Sequence, residues 1–464
     1  MKRILLYTLS GLLVLTLINS CEKDVSGEEE EISEETIAVN EWIYENMSLY
    51  YFWNNEMPAD LDYTKESDPE EYFYKLLYDD KDKWSYITDD YASLAAEFNG
   101  TPVTMGYYPA FYLVGSNTVM IVVSYVYPGS PADEAGLKRG AIILSIDNTL
   151  LDTTNYYTVY SGTSYTVQLG AISGSTLSYT GESLSMTARV TETDPSIYHT
   201  VLDIDGYKIG YLVYVEFISG DDHAFLTELD NIFNEFKTAG ISDLIVDLRY
   251  NPGGEIDAAA HLASNIAPNE VTVNNEVLVD LRYNTNLQEY LELNNYDDYL
   301  YYKFETTAAN INMGKVYFLT TSGSASASEL LISGLQPYMD VVQIGESTYG
   351  KYVGSWLLPD DNEEWAIMPV VMKYLNADGY TDFEDGLTPD YEIDDDLLSA
   401  LQFGDVSDPI LAKAIELATG KSARSDKSVS VKPVNFKQIV PEEMNIRKNL
   451  IMRDKTPRIL PLQR

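Results

Sequence analysis

The feature that most constrains this fold is a regular alternation of apolar runs and amphipathic segments between residues 207 and 344. The apolar runs have the length of strands, and the intervening segments repeat apolar residues every three or four positions, which is typical of helices that bury one face. In the first helix this face consists of Phe225, Leu229, Ile232 and Phe236. Strands that alternate with helices predict a layered α/β core. The predicted strands cover residues 209–217, 243–250, 315–320 and 341–344, and two further helices cover 255–266 and 327–336.

Two segments of different character precede this core. Residues 37–97 are rich in aromatic side chains and helical in pattern, so we expect a small helical domain that packs its own aromatic residues. Residues 98–193 consist of short β-rich runs separated by Gly, Ser and Asn, which predict a compact β domain. The core covers 194–418, and its tyrosine-rich insertion between 269 and 313 has no readable pattern. The chain is therefore predicted to be a multidomain α+β protein.

The charge of the chain is strongly negative and unevenly distributed. A formal charge of −43 excludes the basic surface that nucleic acid binding requires. Residues 419–464 nevertheless contain 11 Lys and Arg against 4 Asp and Glu, so this basic C-terminal tail carries +7 and the rest of the chain −50. Such a tail can dock on the acidic body or remain solvated, and charge-rich chain ends more often stay solvated. We therefore expect a solvated tail.

The amino terminus has the pattern of an export signal. Lys2 and Arg3 precede an apolar run over residues 4–18, too short for a stable membrane span, and Cys21 follows as the single cysteine of the chain. The sequence that ends at Cys21 resembles the lipobox of bacterial lipoproteins, in which the cysteine becomes the acylated first residue. The resemblance implies a signal peptide over 1–21 and an outer-membrane lipoprotein, periplasmic or surface-exposed, held in the membrane by its lipid. The acidic segment 22–36 then predicts a flexible tether.

A short helix bounded by glycine is predicted within the β domain. Ser130 is a good N-cap, Pro131 suits the first helical position, and Gly136 can end the helix in a left-handed conformation. The pattern Ser-Pro-Ala-x-x-Ala-Gly-Leu-x-x-Gly at this point resembles the PDZ domains of bacterial proteases. The resemblance implies a domain that binds an extended peptide by strand addition, with Met105-Gly106-Tyr107 as the candidate loop for the terminal carboxylate. A β domain without a ligand is the alternative.

A serine-rich segment follows the third predicted strand of the core. Ser326 and Glu329 have the spacing of a capping box, which any helix start can use. Lys351 lies 25 residues after Ser326, far enough for the chain to return to the same end of the sheet. A nucleophilic serine needs a base, and none of the 3 histidines lies in a comparable motif. A lysine can replace histidine when burial lowers its pKa from about 10.4 by roughly three units, so Ser326 and Lys351 are a candidate Ser-Lys pair.

A second loop carries backbone donors suited to a negatively charged oxygen. The run from Asp247 to Asn251 continues into Pro252, Gly253 and Gly254, immediately before a predicted helix. Backbone amides at such a turn can face a developing charge without obstruction by side chains. The glycines also suit a tight turn between strand and helix, and the two interpretations are compatible.

The run Gly-Ser-Ala-Ser-Ala-Ser-Glu, followed at this spacing by Gly-Lys, resembles the carboxy-terminal processing (tail-specific) serine peptidases. The helical segment before the β domain resembles one common in Bacteroidetes members of this family, so the resemblance is to a Bacteroidetes-type lipoprotein member with a PDZ domain. The resemblance implies an α/β core of the ClpP/crotonase type, with Ser326 as nucleophile and Lys351 as general base. It also implies an oxyanion hole built from a glycine amide of the Asp-Leu-Arg-x-Asn-Pro-Gly-Gly run and the amide of Ala327. Many relatives have a glutamine four residues after the lysine, where this chain has Ser355, so Ser355 is the candidate orienting residue.

Together these features predict a serine endopeptidase that cleaves unfolded or C-terminally recognised polypeptides through an acyl-enzyme, with substrate capture by the PDZ-like domain. The sequence carries no metal-ligand or phosphate-loop motif, and we expect neither a metal nor another cofactor. The expected partners are polypeptides, bound through their C-termini, and the membrane. The alternative is a catalytically silent lipoprotein of the cell envelope that binds peptides or serves as a scaffold. The intact pair of Ser326 and Lys351 argues against this alternative, and the missing glutamine argues for it.

Overall fold

The computed structural model describes residues 32–173, 176–421 and 436–440. The predicted signal peptide with Cys21, and most of the predicted tether, lie outside these residues. Within them, no helix is both long and apolar enough to cross a membrane. The chain is built from a small helical N-terminal region, a β-rich domain and an α/β core, which confirms the predicted fold class.

The N-terminal region is mainly helical, and it packs against the core as well as on itself. Strand β1 (Tyr86–Thr88) forms an antiparallel pair with strand β19 (Ala366–Met368) of the core, and the helical pattern of this region does not predict a strand there. The ring of Tyr50 lies 5.5 Å from that of Trp356, and the ring of Trp84 lies 6.4 Å from that of Tyr352. Other aromatic side chains of the region pack on each other as expected, with the ring of Trp53 5.8 Å from that of Tyr51, so the region buries its aromatic residues both internally and against the core. The elements are α1 (Glu34–Tyr50), α2 (Pro69–Lys75), β1 (Tyr86–Thr88) and α3 (Tyr91–Phe98).

The β-rich domain forms a large antiparallel sheet, a separate two-stranded sheet of β2 (Val103–Thr104) and β9 (Arg189–Val190), and two short helices. Ser130 Oγ accepts a hydrogen bond from the amide of Asp133 at 3.3 Å, and Gly136 follows the short helix with φ of +90°, as the local sequence predicts. One face of the large sheet packs on helix α5 (Tyr156–Tyr160), where the ring of Phe111 lies 5.2 Å from that of Tyr156. The elements are β2 (Val103–Thr104), β3 (Tyr107–Val114), β4 (Thr118–Val126), α4 (Pro131–Glu134), β5 (Ile142–Ile146), β6 (Thr149–Leu150), α5 (Tyr156–Tyr160), β7 (Ser164–Ser173), β8 (Thr176–Thr187) and β9 (Arg189–Val190).

The core contains a six-stranded sheet in the order β10-β11-β12-β15-β16-β21. Strand β10 is antiparallel to β11, and the remaining neighbours are parallel. The first elements are β10 (Tyr198–Ile204), β11 (Tyr207–Val213), α6 (Ala224–Ala239), β12 (Asp243–Asp247), α7 (Ile256–Ile266), α8 (Asn269–Val273), β13 (Val277–Tyr283), α9 (Thr285–Leu293), α10 (Asp297–Leu300), β14 (Tyr301–Lys303) and β15 (Lys315–Thr320). The remaining elements are α11 (Ala327–Leu335), β16 (Asp340–Gly345), β17 (Val353–Ser355), β18 (Leu358–Pro359), β19 (Ala366–Met368), β20 (Val370–Asn376), β21 (Tyr391–Glu392) and α12 (Pro409–Thr419). The predicted strands and helices exist, and their bounds differ from the predicted ones by up to four residues.

A second sheet of the core has the order β14-β13-β20-β17. Two of its strands, β13 and β14, come from the insertion whose sequence has no readable pattern. Helix α11 packs against α7 and against strands β13 and β20 of this second sheet. The start of α11 is therefore fixed between elements of both halves of the core.

Part of the basic tail is a strand, β22 (Phe436–Ile439). It pairs antiparallel with β3, with Phe436 opposite Val114 and Ile439 opposite Phe111. For these residues the expectation of a solvated tail is wrong, because the free edge of β3 offers unpaired backbone groups that a short extended segment can satisfy.

Candidate active site

Three loops meet at one edge of the six-stranded sheet. Strands β12, β15 and β16 are parallel neighbours, so their carboxyl ends lie side by side. Gly253 follows β12, Ser326 follows β15 and Lys351 follows β16. The structure thus brings together residues that are far apart in the sequence.

The loop before Ser326 is attached directly to the loop that contains Gly253. Ser324 Oγ donates a hydrogen bond to the carbonyl oxygen of Leu248 at 2.7 Å. The carbonyl oxygen of Asn251 accepts two more, from the amide of Ala325 and from Ser328 Oγ, each at 3.1 Å. The serines that surround Ser326 therefore have a structural role, because they fix one loop on the other.

Ser326 has an unusual backbone conformation. Its φ is +63° and its ψ is −113°, a region that side chains other than glycine rarely adopt and that requires support from the surrounding structure. Its side chain is fully buried, and in the described part of the chain its hydroxyl group has no hydrogen-bond partner. The predicted capping box is present: the Glu329 carboxylate accepts from the Ser326 amide at 2.7 Å, and the Ser326 side chain faces the Glu329 amide without forming a full hydrogen bond to it.

Lys351 is a fully buried amine. No acceptor within the described residues forms a hydrogen bond with its Nζ atom. Burial lowers the pKa of Lys351 to about 7, although the negative charges of Asp82 and Glu329 act in the opposite direction. A substantial fraction of this amine is therefore neutral at physiological pH and able to accept a proton.

The carboxylate of Glu329 connects the Ser326 loop with the Lys351 loop. One oxygen accepts from the amides of Ser326 and Lys351, at 2.7 and 2.9 Å. The other accepts from the Gly350 amide and from Thr348 Oγ1, both at 2.6 Å. Burial raises the pKa of Glu329 to about 7, and these four donors pull it down by stabilising the ionised form. Sequence reasoning identified the glutamate as a cap but not its contacts with the lysine loop.

A tyrosine hydroxyl connects the same two loops by contacting a backbone carbonyl oxygen of each. The Tyr374 hydroxyl lies 2.9 Å from the carbonyl oxygen of Lys351 and 3.2 Å from that of Ser326. Tyr374 is in β20, on the second sheet of the core, and its side chain is almost completely buried. No sequence motif marks this residue, so sequence reasoning missed it.

The N-terminal region places a further carboxylate near the lysine. Asp82 accepts hydrogen bonds from the amides of Trp84 and Ser85, both at 2.9 Å, and from the Tyr51 hydroxyl at 2.9 Å. Its charge is the leading influence that favours the protonated form of Lys351. Sequence reasoning also missed Asp82, because nothing in its local sequence distinguishes it from the many other acidic residues of this chain.

Gly253 lies against the predicted nucleophile. With φ of +111°, it has no room for a side chain, since an added Cβ would lie 2.6 Å from Ser326 Cβ and 3.0 Å from the amide nitrogen of Ala327. Its own amide donates to Asn251 Oδ1 at 2.8 Å. Gly254 packs instead against the backbone of Phe217. The predicted oxyanion donors Gly253 and Ala327 are thus close together, and the Gly253 amide is engaged by a side chain in this state.

The remaining predicted site residues lie farther from this arrangement or have no contact with it. Ser355 is buried in β17, and within the described residues its hydroxyl has no hydrogen-bond partner, including Lys351, so its orienting role stays a prediction. The Met105-Gly106-Tyr107 loop belongs to the β-rich domain, where Ser130 Oγ donates to the Gly106 carbonyl oxygen at 3.2 Å. This contact ties the predicted carboxylate loop to the Ser-Pro-Ala helix. Cys21 lies outside the described residues.

Comparison with protein families gives three matches in succession along the chain. Residues 38–86 match the peptidase S41 N-terminal domain, residues 122–158 match the PDZ domain, and residues 208–393 match peptidase family S41. The third match includes the loops of Gly253, Ser326 and Lys351.

Individual relatives agree with these matches. A carboxyl-terminal-processing protease of Synechocystis sp. (strain ATCC 27184 / PCC 6803 / Kazusa) is 26% identical over 65% of this chain. A protease of the same description from Picosynechococcus sp. (strain ATCC 27264 / PCC 7002 / PR-6) is 26% identical over 64%. The chain spans 66% of the length of each of these curated relatives. A crystal structure of a candidate S41 protease from Bacteroides fragilis NCTC 9343 superposes with a TM-score of 0.66 at 28% identity, covering 82% of this chain and 97% of the other.

Replacement of Glu329 by glutamine is expected to destabilise the fold. The amide group keeps the shape of the side chain but turns one acceptor into a donor, which leaves two of the four donors facing another donor. Each buried group left unsatisfied costs about 1–3 kcal/mol, so Glu329→Gln should lower the free energy of unfolding by at least that amount. The measurement is denaturant unfolding followed by tryptophan fluorescence. The control is Glu289→Gln at an exposed position of α9, and equal stability of the two variants would contradict this role of Glu329.

Gly253→Ala is expected to be much more disruptive than Gly314→Ala. An alanine at 253 meets Ser326 at 2.6 Å in a left-handed backbone conformation, whereas no atom lies within 4 Å of a Cβ added at 314. A residue forced into a rare φ region costs about 1–3 kcal/mol before any steric clash. Thermal unfolding of the two variants tests this, and a Gly253→Ala protein as stable as Gly314→Ala would show that the loop is not held against Ser326.

Proposed function

Because this chain belongs to peptidase family S41, we propose that it is a serine endopeptidase in which Ser326 is the nucleophile and Lys351 the general base. The observation that carries this proposal is the burial of both side chains in one place, with the hydroxyl and the amine free of competing partners within the described residues. An amine with a pKa of about 7 can act as a base at neutral pH. The two loops are held together by Glu329 and Tyr374, which limits the freedom of the pair.

In the proposed reaction, Lys351 Nζ accepts the hydroxyl proton of Ser326 as the serine oxygen bonds to the carbonyl carbon of the scissile peptide. The carbonyl electron pair moves onto its oxygen. When this intermediate collapses, the carbon–nitrogen bond breaks and the lysine ammonium returns its proton to the leaving amine. Water then hydrolyses the ester of Ser326 by the same proton transfers, which restores the free serine.

The negatively charged oxygen of the intermediate requires backbone donors. Ala327 is the first residue of α11, so its amide has no acceptor within the helix and points outward at the helix N-terminus. We propose it as one donor. The Gly253 amide is the second, and its use requires the peptide to turn away from Asn251 Oδ1, which accepts from it in the present state. Loss of one such donor typically costs about 10²–10³ in rate.

The proposed substrates are polypeptides recognised near their C-termini. The relatives described as carboxyl-terminal-processing proteases and the PDZ match support this proposal. A PDZ domain binds extended peptide along the edge of a strand, here β3, and this mode requires an unfolded segment rather than a folded surface. We also propose that a lipid on Cys21 anchors the protein in the outer membrane.

Ser326→Ala and Lys351→Ala are expected to abolish cleavage of an unfolded protein such as casein. Each change removes one partner of the proton transfer, and loss of a nucleophile or its base typically lowers kcat by at least about 10³-fold. The control is Ser93→Ala, which alters an exposed serine of helix α3 outside this loop and should leave the rate unchanged. If the wild-type protein cleaves neither casein nor peptides but still binds peptides, the chain is instead a peptide-binding protein.

The rate is expected to rise with pH through the pKa of Lys351. Because the neutral amine is the active form, kcat/KM should increase about tenfold per pH unit below pH 7 and become constant above about pH 8. Asp82→Asn removes a negative charge that favours the ammonium form, so the midpoint should move to lower pH by roughly one pH unit. Asp80→Asn, an exposed change in the same loop, is the control. A midpoint that stays in place in Asp82→Asn would exclude the influence of this carboxylate.

A further inference from the structure

The free edge of the PDZ domain is already occupied in this structure. Strand β22 pairs with β3 over four residue pairs, from Phe436 opposite Val114 to Ile439 opposite Phe111. The strand therefore runs antiparallel to β3, with its C-terminal end directed toward the Met105-Gly106-Tyr107 loop. A peptide that adds a strand to this edge uses the same backbone groups of β3. The tail segment and an incoming peptide cannot bind at the same time.

The side chains of the segment alternate between two faces, as in any strand. Ile439 is half-buried and packs on the apolar core of the PDZ domain, which includes Phe111. Phe436 is half-buried on the opposite side, against the cluster that contains Tyr112. Lys437 is exposed. The docking thus rests on two apolar side chains and the backbone pairing, which makes it specific yet weak enough to be displaced.

The segment also borders the candidate active site. Gln438 and Val440 line a cavity of about 440 Å³ whose wall includes Pro252, Gly323 and Tyr349. These residues belong to the loops that carry Gly253, Ser326 and Lys351. A polypeptide that passes from the PDZ edge to Ser326 has to cross this cavity, so the tail segment lies in the path of the proposed substrate.

The charge of the chain favours this contact. Residues 419–464 carry +7 against −50 for the remainder, and the cavity beside the segment contains Glu346, together with Asp395 and the Arg249 side chain that pairs with it. Long-range attraction of this kind brings a basic tail to an acidic body and weakens as salt is added.

We propose that residues Phe436–Val440 are the resident ligand of the PDZ edge, and that substrate polypeptides gain access by displacing this segment. Because the occupant is this chain's own tail, a substrate polypeptide has to compete with the tail for the edge of β3. The consequence for catalysis rests on the proposed function, since displacement of the tail can raise the rate of cleavage only if Ser326 is the nucleophile. Occupation of the edge itself does not depend on catalysis.

Hydrogen exchange of the chain from Glu22 onward, with Ser326→Ala to prevent self-cleavage, tests the occupation. Ile439→Asn removes the half-buried side chain, whereas Lys437→Asn places the same residue at an exposed position of the same strand. Backbone amides of residues 107–114 should exchange faster in Ile439→Asn and in a chain that ends at Lys421, and at the wild-type rate in Lys437→Asn. Equal exchange in all four proteins would overturn the proposal. So would protection that disappears on dilution, because the strand would then come from a second copy.

Binding of a labelled peptide with the sequence of residues 434–442 provides a second readout. If the tail occupies the edge most of the time, the peptide should bind at least about tenfold more tightly to the chain that ends at Lys421 than to the longer one. Equal affinity would contradict occupation. With Ser326 restored, the shortened chain and Ile439→Asn should cleave casein faster than wild type. Unchanged exchange and affinity in an active enzyme would refute the tail proposal alone, whereas altered exchange and affinity without any cleavage would refute the proposed peptidase and leave the tail in place.

Discussion

The arrangement of the site depends on one buried carboxylate. Glu329 accepts four hydrogen bonds, and these come from the two loops that carry Ser326 and Lys351. A buried carboxylate needs such donors to remain ionised, and the donors need it in order not to be left unpaired. This mutual requirement supports Ser326 in a backbone conformation that residues other than glycine rarely adopt.

The sequence predicted those parts of the site that are encoded locally. Ser326, Lys351 and Gly253 stand in short motifs between strands of a parallel sheet, and such strands align their carboxyl ends in any fold of this class. Tyr374 and Asp82 could not be found in this way, because the local sequence around each is explained by another structural role. Tyr374 belongs to strand β20, and the Asp82 carboxylate accepts hydrogen bonds from the amides of its own loop. The pairing of β1 with β19 was missed for the same reason, since only the folded core provides its partner.

The contribution of the N-terminal region follows from the requirement that Lys351 be neutral if it is the base, as we propose. Burial alone lowers the pKa of Lys351, and a nearby negative charge has to be weak or distant enough not to reverse this. The region packs Trp84 on Tyr352, next to the lysine, and brings Asp82 with it. Through the charge of Asp82 the region therefore limits how far the pKa of Lys351 falls, so this small helical region influences the protonation of a core that begins more than a hundred residues later.

The same burial creates a conflict that the molecule must resolve by movement. A lysine with a pKa of about 7 requires a dry environment, yet a serine that attacks a polypeptide must meet a chain that arrives from water. In this structure the side chains of Ser326 and Lys351 are both fully buried, and the Gly253 amide is bonded to Asn251 instead of facing a substrate. In the reaction proposed here, access of a polypeptide to Ser326 has to leave the contacts of Glu329 intact, and the parts that border the loops from outside are the PDZ domain and the tail strand on its edge.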